Sequence, residues 1–112
     1  MNVQSAFPAS PAALKGVRVV EMGQLIAGPF AGKTLGEFGA DVIKIEPPGA
    51  GDPLRNWRLM KDGTSVWWQV QSRNKRSVAL DLRSTEGQDI ARKLIAEADV
   101  LVENFRPGTL EG

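Results

Sequence analysis

The chain contains no cysteine and no histidine. Without cysteine there are no disulfides and no thiol chemistry, and the redox compartment is not indicated. Without histidine there is no Ser-His-Asp triad and no Cys-His pair, and most zinc sites are excluded. Long apolar runs are also missing. No stretch approaches the ~20 consecutive apolar residues of a membrane span. Charge of one sign is scarce too: 14 basic and 13 acidic residues leave a net +1, which argues against a broad nucleic-acid-binding field. Chemistry in this chain is left to carboxylates, Lys, Arg, hydroxyls and backbone N–H groups.

What is present suits one domain. The chain has 112 residues, 42% of them apolar. A chain of this size buries roughly two-thirds of its unfolded surface, enough for a core. Residues 1–13 are small and polar with two prolines. They lack both the basic start and apolar core of a secretion signal and the arginines of a mitochondrial targeting helix. They read as a flexible tail ahead of a soluble, cytoplasmic domain over 14–112.

Val17 to Met22 is β-rich and reads as a buried strand. Gly28-Pro29 marks a helix start, because proline suits the first helical turn. Phe30, Ala31, Leu35 and Phe38 predict the helix's buried face, and Gly39 its stop. Asp41 to Glu46 is a second strand, so the unit is βαβ with parallel strands and a right-handed crossover. Pro47 to Pro53 is irregular, and Ser65 to Gln71 fits a short helix. A second unit follows. Ser77 to Asp81 is a strand, and Thr85 to Gln88 matches the capping box that opens a helix. Ile90, Ala91, Leu94, Ile95 and Ala98 give that helix its stripe, and Val100 to Val102 is the last strand. Two such units predict an α/β fold with a doubly wound, mostly parallel sheet.

Ligands of open α/β sheets bind beyond the carboxyl ends of the strands. Leu25 to Gly28 follows the first strand and leads into a helix N-terminus, where free N–H groups favour anions. An ordinary helix entry has the same sequence signature. Leu80 to Arg83 closes the third strand and Asn104 to Arg106 the fourth. Arg83 and Arg106 are each suited to a phosphate or to a solvated surface. Phe105 suits either an adenine ring or the core, and Asn104 offers a donor and an acceptor to a base or amide. Three positive charges between Ser72 and Ser77 fit a solvated face or a phosphate-binding rim, and the shortness of the run and the near-balanced charge elsewhere argue against a third reading, nucleic-acid binding. Trp57, Trp67 and Trp68 are suited to stacking, to the core or to an interface. Glu46 ends the second strand about where nicotinamide-binding folds place a ribose-binding acid. The G-x-G-x-x-G fingerprint is absent, however, which argues against that cofactor.

The order and spacing of five segments carry a family resemblance. They are Leu25 to Phe30, Gly39 to Glu46, Gly49 to Arg55, Asn74 to Ser77 and Glu103 to Gly108. From about Leu14 to Glu111 the chain resembles the N-terminal part of the family III CoA-transferases, the group that includes formyl-CoA and carnitine CoA-transferases. The resemblance implies an incomplete, Rossmann-like part of a larger CoA-binding domain. It implies that Leu25, Ile26 and Ala27 line the CoA site beside the thioester. It also implies that Leu80, Asp81, Leu82 and Arg83, with Asn104, Phe105 and Arg106, contact the nucleotide and pantetheine. Coenzyme A or acyl-CoA enters as substrate, with a carboxylic acid as acceptor. No tightly bound cofactor, no nucleic acid and no membrane is implied, and the full-length protein is expected to be an interlocked homodimer. The family reaction is covalent catalysis by an aspartate, through a mixed anhydride and an aspartyl-CoA thioester. That aspartate is expected beyond Gly112, so no catalytic residue is assigned and the segment alone is expected to be inactive. Some members carry Arg at the position of Pro47, and members specialised for formyl and oxalyl groups carry Gln at that of Ile26. Gly112 falls where a basic residue often stands. The alternatives are an α-methylacyl-CoA racemase-like member, which Asn104 disfavours because racemases tend to carry Pro there, and an inactive CoA-binding piece. The last strand is expected to leave an open sheet edge that invites association.

Overall fold

The computed structural model describes residues 12–111. Residues 1–11 of the expected tail, and Gly112, lie outside them. The first strand, β1 (Arg18–Glu21), is followed by helix α1 (Ala27–Glu37) and strand β2 (Asp41–Glu46). Pro29 stands in the first turn of α1, where its missing N–H costs nothing. Gly39 ends the helix at φ 105°, its N–H donating to the Gly36 carbonyl at 3.0 Å.

The buried face of α1 differs from the expected one. Gly28, Pro29, Gly32 and Gly36 face inward, whereas Phe30 and Phe38 are 52% and 55% exposed. The helix lies so close to the sheet that its contact face has almost no side chains. A stripe of large apolar residues cannot occupy that gap.

After β2 the chain is irregular up to a 3-10 turn at Pro53–Asn56, which Asp52 caps by accepting the Leu54 N–H. A small antiparallel hairpin follows, β3 (Met60–Lys61) and β4 (Thr64–Ser65). Its two turn residues, Asp62 and Gly63, have φ of 51° and 78°. This hairpin was not among the expected elements, although Asp-Gly is the dipeptide such a turn prefers. Helix α2 (Val66–Gln71) is capped by the Ser65 hydroxyl.

Strand β5 (Lys75–Ala79) starts and ends two residues before the expected strand. Leu80 still donates its N–H to the Glu46 carbonyl at 2.9 Å, but the chain turns at once, with Ser84 N–H bonded to the Asp81 carbonyl. Helix α3 (Thr85–Ala96) is capped by Ser84 rather than Thr85. Ser84 has an extended backbone and its hydroxyl accepts the Gly87 N–H, while Thr85 is already helical. Strand β6 is Val100–Val102.

Four strands form one parallel sheet in the order β5-β2-β1-β6. Val19, Ala40 and Val42 make a core with Leu35 of α1 on one face. Val20, Met22, Ile45, Leu80 and Ala91 make a second core with Leu94 and Ile95 of α3 on the other. The sheet is therefore doubly wound. Chain order reverses between β1 and β6, which makes the crevice beyond their carboxyl ends the topological switch point. Val100 and Leu101 are partly exposed on the β6 edge. Among the described residues, no helix is long and apolar enough to cross a membrane.

Candidate functional site

The segment leaving β1 at the switch point is held by side chains from three distant places. The Gly23 carbonyl accepts from Lys44 Nζ at 3.0 Å. Gln24 N–H donates to Asn104 Oδ1 at 2.8 Å, and its carbonyl accepts from Asn104 Nδ2 at 3.0 Å. Leu25 N–H donates to Asp52 Oδ1 at 3.1 Å. Leu25 itself sits at φ 63°, in the left-handed region that leucine avoids. Such a conformation costs roughly 1–3 kcal/mol and persists only where the surroundings over-determine it. The four hydrogen bonds on residues 23–25 supply that constraint.

Beneath the loop runs a buried chain of alternating charge on the α1 side of the sheet. Lys75 Nζ lies 2.6 Å from Glu21 Oε1, Lys44 Nζ 2.6 Å from Glu21 Oε2, and Lys44 Nζ 2.8 Å from Asp52 Oδ2. All four side chains are at most 3% exposed. The contacts to Glu21 Oε1 and Asp52 Oδ2 are charge contacts at angles outside hydrogen-bond geometry. Lys75 also donates to the Pro29 carbonyl at 2.8 Å, tying the start of α1 to the chain. Burial pulls the Lys75 ammonium below its ordinary value, against the opposing pull of Glu21. Sequence periodicity gave no sign of this network, because charged residues in a strand normally mark a solvated face. Glu21 and Lys44 are register partners in adjacent central strands, and that pairing makes burial of both tolerable.

A cleft of about 510 Å³ opens beyond the ends of β2 and β5, lined in part by Glu46, Pro47, Gly51, Arg55, Trp68 and Ser77. Glu46 organises it. Its carboxylate accepts from Arg55 Nε and Nη2, both at 2.8 Å, from the Asp52 N–H at 2.8 Å, and from the Ser77 hydroxyl. Burial pushes the Glu46 carboxyl up, but these hydrogen bonds and the Arg55 charge outweigh it and hold the group at about 2. The same pair raises the Arg55 guanidinium. Arg55 stacks on the Trp68 ring at 4.0 Å, so the wall combines a fixed cation with an aromatic face. Glu46 has no carboxylate oxygen to spare for a ribose. The wall was legible only as the Gly49 to Arg55 motif, without its pairing to Glu46 and Trp68.

The profile of CoA-transferase family III matches residues 14–112. The chain belongs to this family. It is 53% identical to succinyl-CoA–D-citramalate CoA-transferase of Chloroflexus aurantiacus, over 90% of this chain and 25% of that protein. It is 44% identical to human succinyl-CoA:glutarate CoA-transferase, over 87% of this chain and 22% of that protein. Among solved structures, a CaiB/BaiF family protein from Brucella suis superposes with a TM-score of 0.82 at 41% identity, covering 91% of this chain and 28% of that one. The chain thus spans about a quarter of the length of the curated relatives it matches.

In this family III chain the expected site residues fall into three sets. Leu25, Ile26 and Ala27 form the held loop and the first residue of α1, and Asn104 is spent on Gln24 across the switch point. Leu80, Leu82 and Phe105 come together in the core beside α3, so Phe105 is half-buried there. Asp81 accepts the Arg83 N–H at 3.0 Å and points outward with it. Arg83 and Arg106 are exposed, and neither is in an ion pair among the described residues. None of the ten residues lines the 510 Å³ cleft.

Proposed function

We propose that this chain is the CoA-recognising part of a CoA-transferase that moves CoA from an acyl-CoA donor to a carboxylic acid. The observation that carries the reading is the family match across residues 14–112, with relatives whose names specify succinyl-CoA as donor. A dicarboxylic acyl group on the donor is the corresponding choice here. Leu25, Ile26 and Ala27 flank the thioester, with backbone N–H groups at the start of α1 available to a developing oxyanion. Arg83 and Arg106, free of ion pairs among the described residues, serve the phosphates, and Leu80 to Leu82 with Asn104 and Phe105 form the wall along the nucleotide and pantetheine.

In the reaction an aspartate carboxylate attacks the thioester carbonyl. The C–S bond breaks, leaving a mixed anhydride and CoA thiolate. The thiolate attacks the aspartyl carbonyl and expels the donor acid as its carboxylate. The acceptor carboxylate then attacks the aspartyl thioester, and the released thiolate takes the acceptor acyl group and frees the aspartate. No aspartate in this chain is assigned that role. Asp41 and Asp52 are held in ion pairs, and the carboxylates of Asp81 and Asp99 accept backbone N–H groups. The chain alone should bind CoA without turning it over.

Titration with CoA, read by tryptophan fluorescence, tests this. Saturable quenching that dephospho-CoA reproduces poorly is expected. No quenching in a folded chain counts against a CoA site, and turnover of an acyl-CoA by these 112 residues overturns the assignment of the nucleophile.

A further inference from the structure

The loop and the cleft are separate features of the surface, yet one buried side chain touches the supports of both. Asp52 is 1% exposed. Its Oδ1 accepts two backbone N–H groups, Leu25 at 3.1 Å and Leu54 at 2.9 Å. Its Oδ2 lies 2.8 Å from Lys44 Nζ, and Lys44 holds the Gly23 carbonyl. Its own N–H donates to Glu46 Oε1, the oxygen that also receives Arg55 Nε. Hydrogen bonds and ion contacts therefore run unbroken from the Leu25 backbone, through Asp52 and Glu46, to the cation of the cleft.

We propose that Asp52 is a positioning residue. It holds the Leu25 loop in its left-handed conformation and sets that loop in register with the Arg55 wall of the cleft. A reactive group seated at the loop needs the Leu25 backbone held in place, because one misplaced contact lowers the gain from the other contacts to the same ligand. A capping role at Leu54 alone does not require the second bond to Leu25, 27 residues earlier in sequence. The ligand part of this proposal rests on the reading of the loop as the thioester side of a CoA site.

The test compares the whole chain with Asp52→Ala and Asp52→Asn by amide hydrogen exchange and by CoA titration. The quantity read is the exchange rate of the Leu25 amide relative to the core-strand amides of Val20 and Ile43. A general loss of stability speeds all three together, whereas loss of positioning speeds Leu25 selectively. Losing a bond to a charged acceptor should raise the ratio about tenfold or more in Asp52→Ala. Asparagine keeps an acceptor oxygen, so the rise in Asp52→Asn should be smaller, about threefold. The CoA concentration for half-saturation should rise in the same order. A ratio unchanged in both variants overturns the proposal, and so does a loosened loop with unaltered CoA affinity. If Asp52→Ala does not fold, the ratio in Asp52→Asn alone decides. Wild-type chain that does not bind CoA refutes the CoA reading, and the exchange ratio still decides whether Asp52 holds the loop.

Discussion

Replacing Gly32 by alanine sets two physical effects of opposite sign against each other. Gly32 lies in the middle of α1, where alanine in place of glycine ordinarily stabilises a helix by about 1 kcal/mol. In this fold the added Cβ would overlap Glu21 Oε1 and lie 2.9 Å from the Glu21 Cδ. Glu21 cannot swing away without leaving Lys75 and Lys44, whose ammonium groups it holds in the interior. Breaking a buried pair of this kind costs about 3–5 kcal/mol, because a charge is left without compensation. The net expectation is a loss of about 2–4 kcal/mol, a large part of the 5–15 kcal/mol that a whole domain has. Gly36→Ala is the control, since its Cβ would meet Asn74 Cβ at 3.2 Å, the Asn74 carbonyl oxygen at 3.4 Å and Val42 Cγ2 at 3.5 Å, none of them an overlap. That variant should lie within about 1 kcal/mol of wild type, with helix propensity and crowding nearly cancelling. Urea unfolding followed by tryptophan fluorescence measures both. With slopes of about 1–2 kcal/mol/M, Gly32→Ala should lower the midpoint by about 1–4 M. A midpoint equal to or above wild type would refute the argument, because helix propensity would have won and the glycine face would not be a packing requirement.

Two further outcomes follow from the same geometry. The Glu46 carboxyl is held at about 2, below its ordinary 4.5, so it contributes stability above pH 4.5 that is lost as pH falls toward 2. A shift of that size corresponds to about 3 kcal/mol. The stability gap between wild type and Glu46→Gln should therefore narrow between pH 6 and pH 3, and a gap independent of pH contradicts the Arg55 pairing. Asn104→Ala removes both hydrogen bonds to Gln24 at an exposed position, where water replaces part of what is lost. A destabilisation of about 1–2 kcal/mol is expected in the same urea assay. No change there means that the Asn104 amide does not hold the loop.

The strands were legible where β-branched residues cluster between turn formers, as at Asp41–Glu46 and Val100–Val102, and the parallel order followed from the βαβ spacing. The face of α1 was not legible. Counting apolar residues at helical spacing selects Phe30 and Phe38 along with Leu35, but of these only Leu35 reaches the core, and glycines and Pro29 make the rest of the close contact with the sheet. The start of β5 was missed because Lys75 and Arg76 look like loop residues, and the burial of Lys75 depends on Glu21, far earlier in the chain. The candidate site was legible as segments and not as pairings. Asn104 reads in sequence as a contact to a base or amide and Asp52 only as part of the Gly49 to Arg55 motif, and only the three-dimensional register shows that both close on the backbone of one loop.

The topology also fixes an order in time. During synthesis β1 emerges early, yet one of its sheet neighbours, β6, is the last of the six strands among the described residues. The side chains that hold residues 23–25 arrive as Lys44, then Asp52, then Asn104, the last of them 80 residues after Gln24. At translation speeds of about 5–20 residues per second, that interval is about 4–16 s. For those seconds Gln24 has neither partner from Asn104, and the nascent chain exposes the β1 edge that β6 will later cover. A cell making this protein must keep a half-built parallel sheet from pairing with another chain for the time taken to translate the residues between β1 and β6.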